Sequence, residues 1–166
     1  IVLSHTETNA DPHLASFNEA VCAYLEDKDR RPDAALFALA GPVSDDRVTL
    51  TNRDWPAVEA RDISQTLDIP NVRLRNDFAA MARAIPELPA DCFHTFHDPE
   101  PERQAERVLV TGPGTGFGVS TLLKTDHGWV VLTGEGGHAA YVPRTEEESA
   151  LLAFMQTEYG YVSNEM

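Results

Sequence analysis

Residues Val110–Ser120 read VTGPGTGFGVS, with a glycine at every second position from Gly112 to Gly118. A fixed glycine costs backbone entropy, so a cluster of glycines marks an unusual backbone path or a close approach to another group. The flanking runs, Arg107–Thr111 and Val119–Lys124, are rich in β-branched and aliphatic residues, which is typical of strands. The stretch is therefore predicted to be the turn of a β-hairpin.

Two common nucleotide-binding patterns are excluded at this turn. The dinucleotide pattern G-x-G-x-x-G fails in both registers, because Phe117 and Val119 stand where its last glycine is needed, and the Gly-Lys pair of a P-loop is absent. Backbone N–H groups of a glycine-rich turn can still bind phosphate oxygens, and the hydroxyl of Thr115 adds one donor. The alternative is a bulged hairpin that binds no ligand.

Before this turn, strand and helix patterns alternate. Ala34–Ala40 predicts an apolar strand, and we expect it to form a hairpin with the shorter strand Arg47–Thr51 through Ser44-Asp45-Asp46. An apolar stripe from Leu14 to Leu25 predicts a first helix. Its start is signalled both by Asp11-Pro12 and by the capping box Ser16-x-x-Glu19. The elements expected next are a helix Val58–Leu67, a strand Val72–Arg75 and a helix Ala79–Ile85. This order predicts an α/β fold.

A loop rich in proline and acidic residues, Glu87–Glu106, is the expected boundary between two domains, 1–104 and 105–166. After it, three successive strands without an intervening helix, ending at Trp129–Leu132, predict an antiparallel meander. A helix Glu146–Tyr159 follows, with Thr145 as its cap and Gly160 at its end.

The composition excludes several classes of partner. The 166 residues carry a net charge of −14, which opposes broad contact with nucleic acid or an anionic membrane, because such partners are bound by neutralising phosphates. No apolar run approaches the roughly 20 residues of a membrane span, and no signal sequence precedes the first strand, so we expect a cytoplasmic protein. Cys22 and Cys92 are too far apart to suggest a metal or redox motif.

Asn76-Asp77 lies at the carboxyl end of an apparently buried strand, where open α/β sheets present ligand-binding groups. The carboxylate of Asp77 could accept the proton of a substrate hydroxyl, while the neighbouring amide orients that hydroxyl. The alternative is that Asp77 only caps the helix that starts at Phe78.

A second cluster, GEGGH (Gly134–His138), places a carboxylate and an imidazole three residues apart in a loop bounded by glycines. Such groups can bind several hydroxyls of a polyol, because each presents acceptors in a fixed direction. A lone histidine is more often structural, but packing does not easily explain Glu135 among three glycines. We therefore expect Glu135 and His138 to contact a ligand.

In this order the motifs resemble the bacterial hexokinase-type glucokinases of the sugar kinase, Hsp70 and actin superfamily. The resemblance covers nearly the whole chain and rests on five stretches: ALAGPV (Ala38–Val43), LTNRDW (Leu50–Trp55), NDFAAMARAIPEL (Asn76–Leu88), GPGTGFGVS (Gly112–Ser120) and LTGEGGHAAYVP with the following EEE (Leu132–Pro143, Glu146–Glu148). It implies a ribonuclease-H-like, actin- or hexokinase-type fold of two α/β domains, incomplete in this chain.

The resemblance also implies a reaction, in which the γ-phosphoryl group of ATP is transferred to the 6-hydroxyl of glucose at the start of glycolysis. Asp77 would be the general base, and Asn76, Glu135 and His138 would bind sugar hydroxyls. Asn52 would lie near the edge of the sugar. Gly114, Thr115 and Gly116 would contact the transferred phosphoryl group, with Mg²⁺ bridging the phosphates and no metal site made of protein side chains alone.

The resemblance is also incomplete. The family's first phosphate loop, Asp-x-Gly-Gly-Thr-Asn, is not found, and a further sugar-binding glutamate and the adenosine-binding segment are expected beyond the end. We therefore expect a chain truncated at both ends that does not phosphorylate glucose at an appreciable rate by itself. The alternative is a non-catalytic sugar-binding or inactive fragment. The preferred hexose, the phosphoryl donor and the oligomeric state, with a homodimer as one option, stay open.

Overall fold

The computed structural model describes residues 13–26, 28, 31–50, 53–97, 105–113 and 116–166. The chain divides into two compact units, Ile1–Asp77 and Phe78–Met166, and each is described by itself. These units do not coincide with the expected domains 1–104 and 105–166, whose boundary lies at residues outside the described ranges. That domain organisation stays a prediction.

The first unit begins with helix α1, Phe17–Glu26. The hydroxyl of Ser16 accepts a hydrogen bond from the Glu19 N–H (3.2 Å), and the Glu19 carboxylate accepts one from the Ala15 N–H (2.8 Å). The predicted helix start at Ser16-x-x-Glu19 is confirmed, with the Glu19 carboxylate bonded to the N–H of Ala15, one residue before the cap. The other predicted start, Asp11-Pro12, lies outside the described residues, as does the strand predicted at Ile1–Ser4.

Strands β1 (Ala34–Leu39) and β5 (Asn71–Asn76) pair in parallel, with Leu39 opposite Asn76. A parallel pair needs a crossover connection, and helix α2 (Ala60–Leu67) lies in that connection and packs against β5. The sequence-predicted strands are confirmed here to within one residue at each end. The carboxyl end of β5 carries Asn76, and Asp77 follows it directly.

The predicted pairing of β1 with the next strand is wrong. The hairpin consists of β2 (Val43–Ser44) and β3 (Arg47–Val48), and β4 (Val58–Glu59) pairs with the outer edge of β3. Asp45 and Asp46 both have positive φ, 51° and 54°, as a two-residue type I′ turn requires. The turn was therefore correctly located, but the two residues of β2 are too few to be recognised as a strand. The helix predicted at Val58–Leu67 is observed at Ala60–Leu67, two residues later at its start, because Val58 and Glu59 form β4.

The side chain of Asp46 connects this turn to β5. Its carboxylate accepts a hydrogen bond from the Leu74 N–H (2.9 Å) and from Arg73 (2.7 Å), with Arg75 at 3.6 Å. The bond from the Leu74 N–H, followed by Arg73 and Arg75, lowers the pKa of Asp46 below its ordinary value, although partial burial acts in the opposite direction. Asp46 thus satisfies a backbone donor on the edge of β5 that does not face β1.

The hydrophobic core of the first unit lies between its helices and strands. Ile63, Ile69 and Leu74 are buried completely or nearly so. The other buried members of this core are Leu25, Leu39, Val48, Leu50, Val58, Ala60, Leu67 and Val72. Helix α2 contributes to it through one face, with Ala60, Ile63 and Leu67 buried, at the three- and four-residue spacing of an amphipathic helix.

The second unit contains helix α3 (Asp77–Ala84, continued by a 3₁₀ turn at Ile85–Glu87) from Phe78 onward, and the predicted antiparallel meander. Its strands are β6 (Arg107–Pro113), β7 (Phe117–Thr125) and β8 (Gly128–Gly134), paired in the order β6-β7-β8.

Helix α4 is confirmed at its predicted bounds, Glu146–Tyr159. The hydroxyl of Thr145 accepts a hydrogen bond from the Glu148 N–H (3.1 Å), and Gly160 ends the helix with a φ of 75°. The cap satisfies one backbone donor of the first helical turn.

None of the helices in the described part of the chain is both long enough and apolar enough to cross a membrane.

The two cysteines lie in different units. Cys22 is on α1 in the first unit and Cys92 is in the second unit, and both are free thiols on exposed residues.

Candidate functional site

The carboxyl end of β5 places two of the predicted site residues next to each other in the first unit. Asn76 is the last residue of β5, and its side-chain amide donates a hydrogen bond to the Gly41 carbonyl (3.1 Å). Gly41 has a φ of +134°, and a Cβ there would lie 2.7 Å from the Thr49 carbonyl oxygen. The Gly41 backbone that holds the Asn76 amide therefore requires glycine.

Asp77 is the first residue of α3 and is partly buried. A carboxylate in the first turn of a helix is stabilised by the positive end of the helix dipole. Because Asp77 is its first residue, the helix begins one residue earlier than in the alternative, in which Asp77 only caps a helix that starts at Phe78. The role of Asp77 as the general base stays a prediction.

In the second unit, the glycine-rich turn lies between β6 and β7. Gly112 is paired directly with Gly118 across the two strands. The ring of Phe78 lies over this pair: a Cβ on Gly118 would come within 2.0 Å of the ring, and one on Gly112 within 3.4 Å. Two of the four alternating glycines therefore make room for an aromatic ring.

The predicted Glu135 and His138 also lie in the second unit, at the loop that follows β8. Glu135 precedes a single 3₁₀ turn, Gly136–His138. This turn brings the Glu135 carboxylate to 3.8 Å from Nε2 of His138, and both side chains are more than half exposed. At 3.8 Å the Glu135 carboxylate and the His138 ring do not hydrogen-bond to each other. A ligand hydroxyl placed beside both groups can therefore bond to each of them.

Glu165 completes this cluster, and it was missed at the sequence level. Its Oε1 lies 2.9 Å from Nδ1 of His138, and its Oε2 accepts a hydrogen bond from the Phe117 N–H (2.8 Å). The Glu165 side chain is only 18% exposed, whereas that of His138 is 63% exposed. A carboxylate on one ring nitrogen fixes the orientation of the imidazole and the role of the other nitrogen.

No local motif marks Glu165 in the sequence. It is brought to the cluster by backbone pairing after α4, where Ala140 bridges to Ser163 and the Asn164 N–H donates to the Ala139 carbonyl (3.1 Å). The further sugar-binding glutamate expected beyond the end of the chain stays a prediction.

The Gly136–His138 turn packs directly on the backbone of the glycine hairpin. A Cβ on Gly137 would lie 2.3 Å from the Phe117 carbonyl oxygen and 2.7 Å from Oε2 of Glu165. A Cβ on Gly116 would also lie 2.7 Å from that Oε2. Gly116 and Gly137 therefore leave the space that the Glu165 carboxylate fills.

Some predicted residues cannot be placed. Gly114, Thr115 and Asn52 lie outside the described residues. Asn76 and Asp77 belong to the first unit, whereas Gly116, Glu135 and His138 belong to the second. The structure brings the members of each set together, and the meeting of both sets in one cleft stays a prediction.

A family model described as Glucokinase matches residues 2–166, nearly the entire chain. The chain belongs to the glucokinase family. Curated relatives agree: the glucokinases of Yersinia pestis (strain Pestoides F) and of Yersinia pseudotuberculosis serotype O:1b (strain IP 31758) are each 37% identical to it over 150 residues. That alignment covers 90% of this chain and 46% of each relative, so the chain spans about half the length of the curated glucokinases it matches.

Solved glucokinase structures share the fold. A glucokinase from an Antarctic psychrotroph superposes with a TM-score of 0.68 at 31% identity, covering 92% of this chain and 47% of that one. The glucokinase of Balamuthia mandrillaris, solved in complex with glucose, gives a TM-score of 0.66 at 22% identity, covering 89% and 46%. The predicted α/β fold of the sugar kinase and actin type, and the predicted family, are confirmed.

Proposed function

We propose that this glucokinase-family chain carries the sugar-binding groups and the general base of a kinase that transfers the γ-phosphoryl group of ATP to the 6-hydroxyl of glucose. The observation that carries the proposal is the cluster of Glu135, His138 and Glu165, held on the glycine hairpin through the Phe117 N–H. Two carboxylates around one imidazole offer several acceptors in fixed directions, which suits a polyhydroxylated ligand.

In this proposal Glu135 and His138 bind hydroxyls near the anomeric end of the sugar. Glu165 keeps the imidazole in place through Nδ1, 2.9 Å away. The amide of Asn76 binds a hydroxyl adjacent to the reacting one. A hexose that lacks one of these hydroxyls would leave a carboxylate or an amide unpaired, and this loss is the expected source of sugar specificity.

The transfer step needs little covalent chemistry from the protein. The O6–H bond of glucose breaks as its oxygen bonds to the γ-phosphorus, the proton passes to the carboxylate of Asp77, and the bond from that phosphorus to the β,γ-bridging oxygen breaks to release ADP. Positioning and neutralisation of the moving charge supply most of the rate in such reactions.

The glycine hairpin fits an anionic oxygen. The Glu165 carboxylate already accepts from a hairpin N–H, in a space that a side chain on Gly116 would fill. We infer that Gly114, Thr115 and Gly116 provide equivalent contacts for the transferred phosphoryl group of ATP. Mg²⁺ would neutralise the phosphate charge, and it commonly keeps several waters and binds through substrate phosphates.

The setting proposed for this reaction is the cytoplasm, where glucose and ATP are both available. A homodimer stays a prediction for the whole protein.

The test is an assay of ADP release with glucose and MgATP, using the product of the full reading frame that encodes these residues. The variant Asp77→Asn keeps the size of the side chain but removes the base, and we expect it to lower kcat by about 10²- to 10⁴-fold. Asp126→Asn is the matched control, because Asp126 lies in the exposed turn between β7 and β8, and it should behave as the unmodified protein.

Calorimetry with glucose alone and with ATP alone distinguishes the alternative. A non-catalytic sugar-binding protein would give heat with glucose, none with ATP and no ADP release. An Asp77→Asn variant that turns over at the rate of the Asp126→Asn control would refute Asp77 as the base.

A further inference from the structure

The contact between Phe78 and the Gly112–Gly118 pair is the feature of the second unit that the proposed chemistry does not use. Phe78 is the second residue of α3, and its ring is partly buried. Gly112 and Gly118 are cross-strand partners, so their missing side chains leave one continuous patch of bare backbone on the hairpin. The ring occupies this patch.

The fit is close on the Gly118 side. A Cβ on Gly118 would lie 2.0, 2.1 and 2.5 Å from three carbons of the ring, which is closer than any real contact. An alanine at position 118 must therefore displace the ring. On the Gly112 side the distances would be 3.4 and 3.5 Å, so an alanine there only tightens the contact.

Each partner in this contact is a neighbour in sequence of residues assigned to the proposed site. Asp77, the proposed base, is joined to Phe78 by one peptide bond and is the first residue of α3. The turn between Gly112 and Gly118 contains the residues proposed to bind phosphate. Because helical φ and ψ angles lie in a narrow range, a ring that holds the backbone at Phe78 also limits the directions open to the adjacent Asp77 side chain.

We propose that Phe78 is a positioning residue: its ring, packed on the Gly112–Gly118 pair, fixes the backbone of α3 at Phe78 and, through the peptide bond to Asp77, limits the directions open to the Asp77 carboxylate. This inference rests on the proposed function, because it assigns a purpose to a fixed Asp77. A displacement of about 1 Å in a reacting group can cost on the order of 10²-fold in rate, so the ring needs to move only slightly to affect turnover.

The contact of the Phe78 ring with Gly112 and Gly118, called the ring seat below, can be tested without measuring activity. In this chain, labelled with ¹³C-glycine, the Hα signals of Gly112 and Gly118 should be shifted by the ring current of Phe78. Phe78→Leu should abolish the shift. The matched control is Phe96→Leu, which makes the same change on a side chain that is 93% exposed and should leave both signals in place.

The positioning role is tested by kinetics in the product of the full reading frame. Gly118→Ala and Phe78→Leu should each lower kcat at least tenfold and change the KM for glucose less than twofold. The double variant should be no slower than the slower single variant, because both changes disrupt one contact. The unfolding midpoint of Gly118→Ala is measured as well. Gly134→Ala is its control, because it places an alanine in a strand of the same sheet where the added methyl meets no atom within 4 Å.

Each negative outcome has a distinct meaning. Unshifted glycine signals in the unmodified chain would overturn the ring seat. Shifted signals, together with unchanged kcat in both variants at 25 °C, would overturn the positioning role, as would a double variant whose kcat losses multiply. If the unmodified protein releases no ADP with glucose, the proposed function fails, while the glycine signals still report on the ring seat.

Discussion

Ser120 is a buried polar residue on β7 with an unusual environment. It is 1% exposed, and its hydroxyl has no hydrogen-bond partner among the described residues. A buried hydroxyl without a partner costs free energy, because it loses its bonds to water. We predict that Ser120→Ala leaves the free energy of unfolding unchanged or raises it by up to about 1 kcal/mol, measured by urea denaturation.

Ser64 provides the contrast. Its hydroxyl donates to the Ile69 carbonyl (2.7 Å), so Ser64→Ala should lower the free energy of unfolding by about 1 kcal/mol. The same chemical change therefore has opposite expected effects at two positions. A loss at Ser120→Ala equal to that at Ser64→Ala would mean that the Ser120 hydroxyl is paired in solution.

Single residues also show where sequence reasoning succeeds and fails. Glu135 and His138 were predicted as a pair because they lie three residues apart in one loop, and they do lie together. Glu165 was missed because its contact with His138 depends on chain pairing after α4. The glycine pattern predicted the close approach of another group to the hairpin, and at Gly112 and Gly118 that group is the ring of Phe78, which a pattern of glycines does not reveal.

At the scale of elements, the hairpin turn between β2 and β3 is held against β5 by Asp46. The Leu74 N–H, Arg73 and Arg75 stabilise the charged form of this carboxylate, and its pKa is lowered. A lowered pKa in the folded state means that the contribution of Asp46 to stability is present above its ordinary pKa, about 4. It is lost as the pH falls through the lower, folded-state pKa.

We therefore predict that Asp46→Asn lowers the free energy of unfolding at pH 7, and that its difference from the unmodified chain shrinks as the pH is lowered below about 4. Asp45→Asn is the matched control, because it makes the same change at a neighbouring residue with a similar positive φ in the same turn. A difference that stays constant from pH 7 to pH 3 would contradict the role of the ionised carboxylate.

Elements were predicted well where the pattern is local. The meander β6–β8 and helix α4 follow from alternation, turns and caps between neighbouring residues, and both are confirmed. The partner of β1 was predicted wrongly, because an apolar run such as Ala34–Leu39 pairs equally well in parallel or antiparallel. Its real partner, β5, is distant in sequence and was not considered as an alternative.

The net charge of −14 acts on the whole molecule. Like charges repel one another in the compact state, and salt screens this repulsion over a Debye length of roughly 10 Å at 0.1 M. We predict that raising NaCl from about 20 to 200 mM at pH 7 increases the midpoint of urea unfolding. The effect should be much smaller near pH 4.6, where the ionisable groups of the sequence sum to about zero net charge. A midpoint that falls with salt at pH 7 would indicate that attractive ion pairs outweigh the repulsion.

The chain contains only two cysteines, and both are exposed, one in each compact unit. Maleimide dyes can therefore be attached to Cys22 and Cys92 without any mutation. Energy transfer between a donor and an acceptor dye would report the distance between these two positions, with and without added glucose. The native thiols thus provide one labelling position in each compact unit.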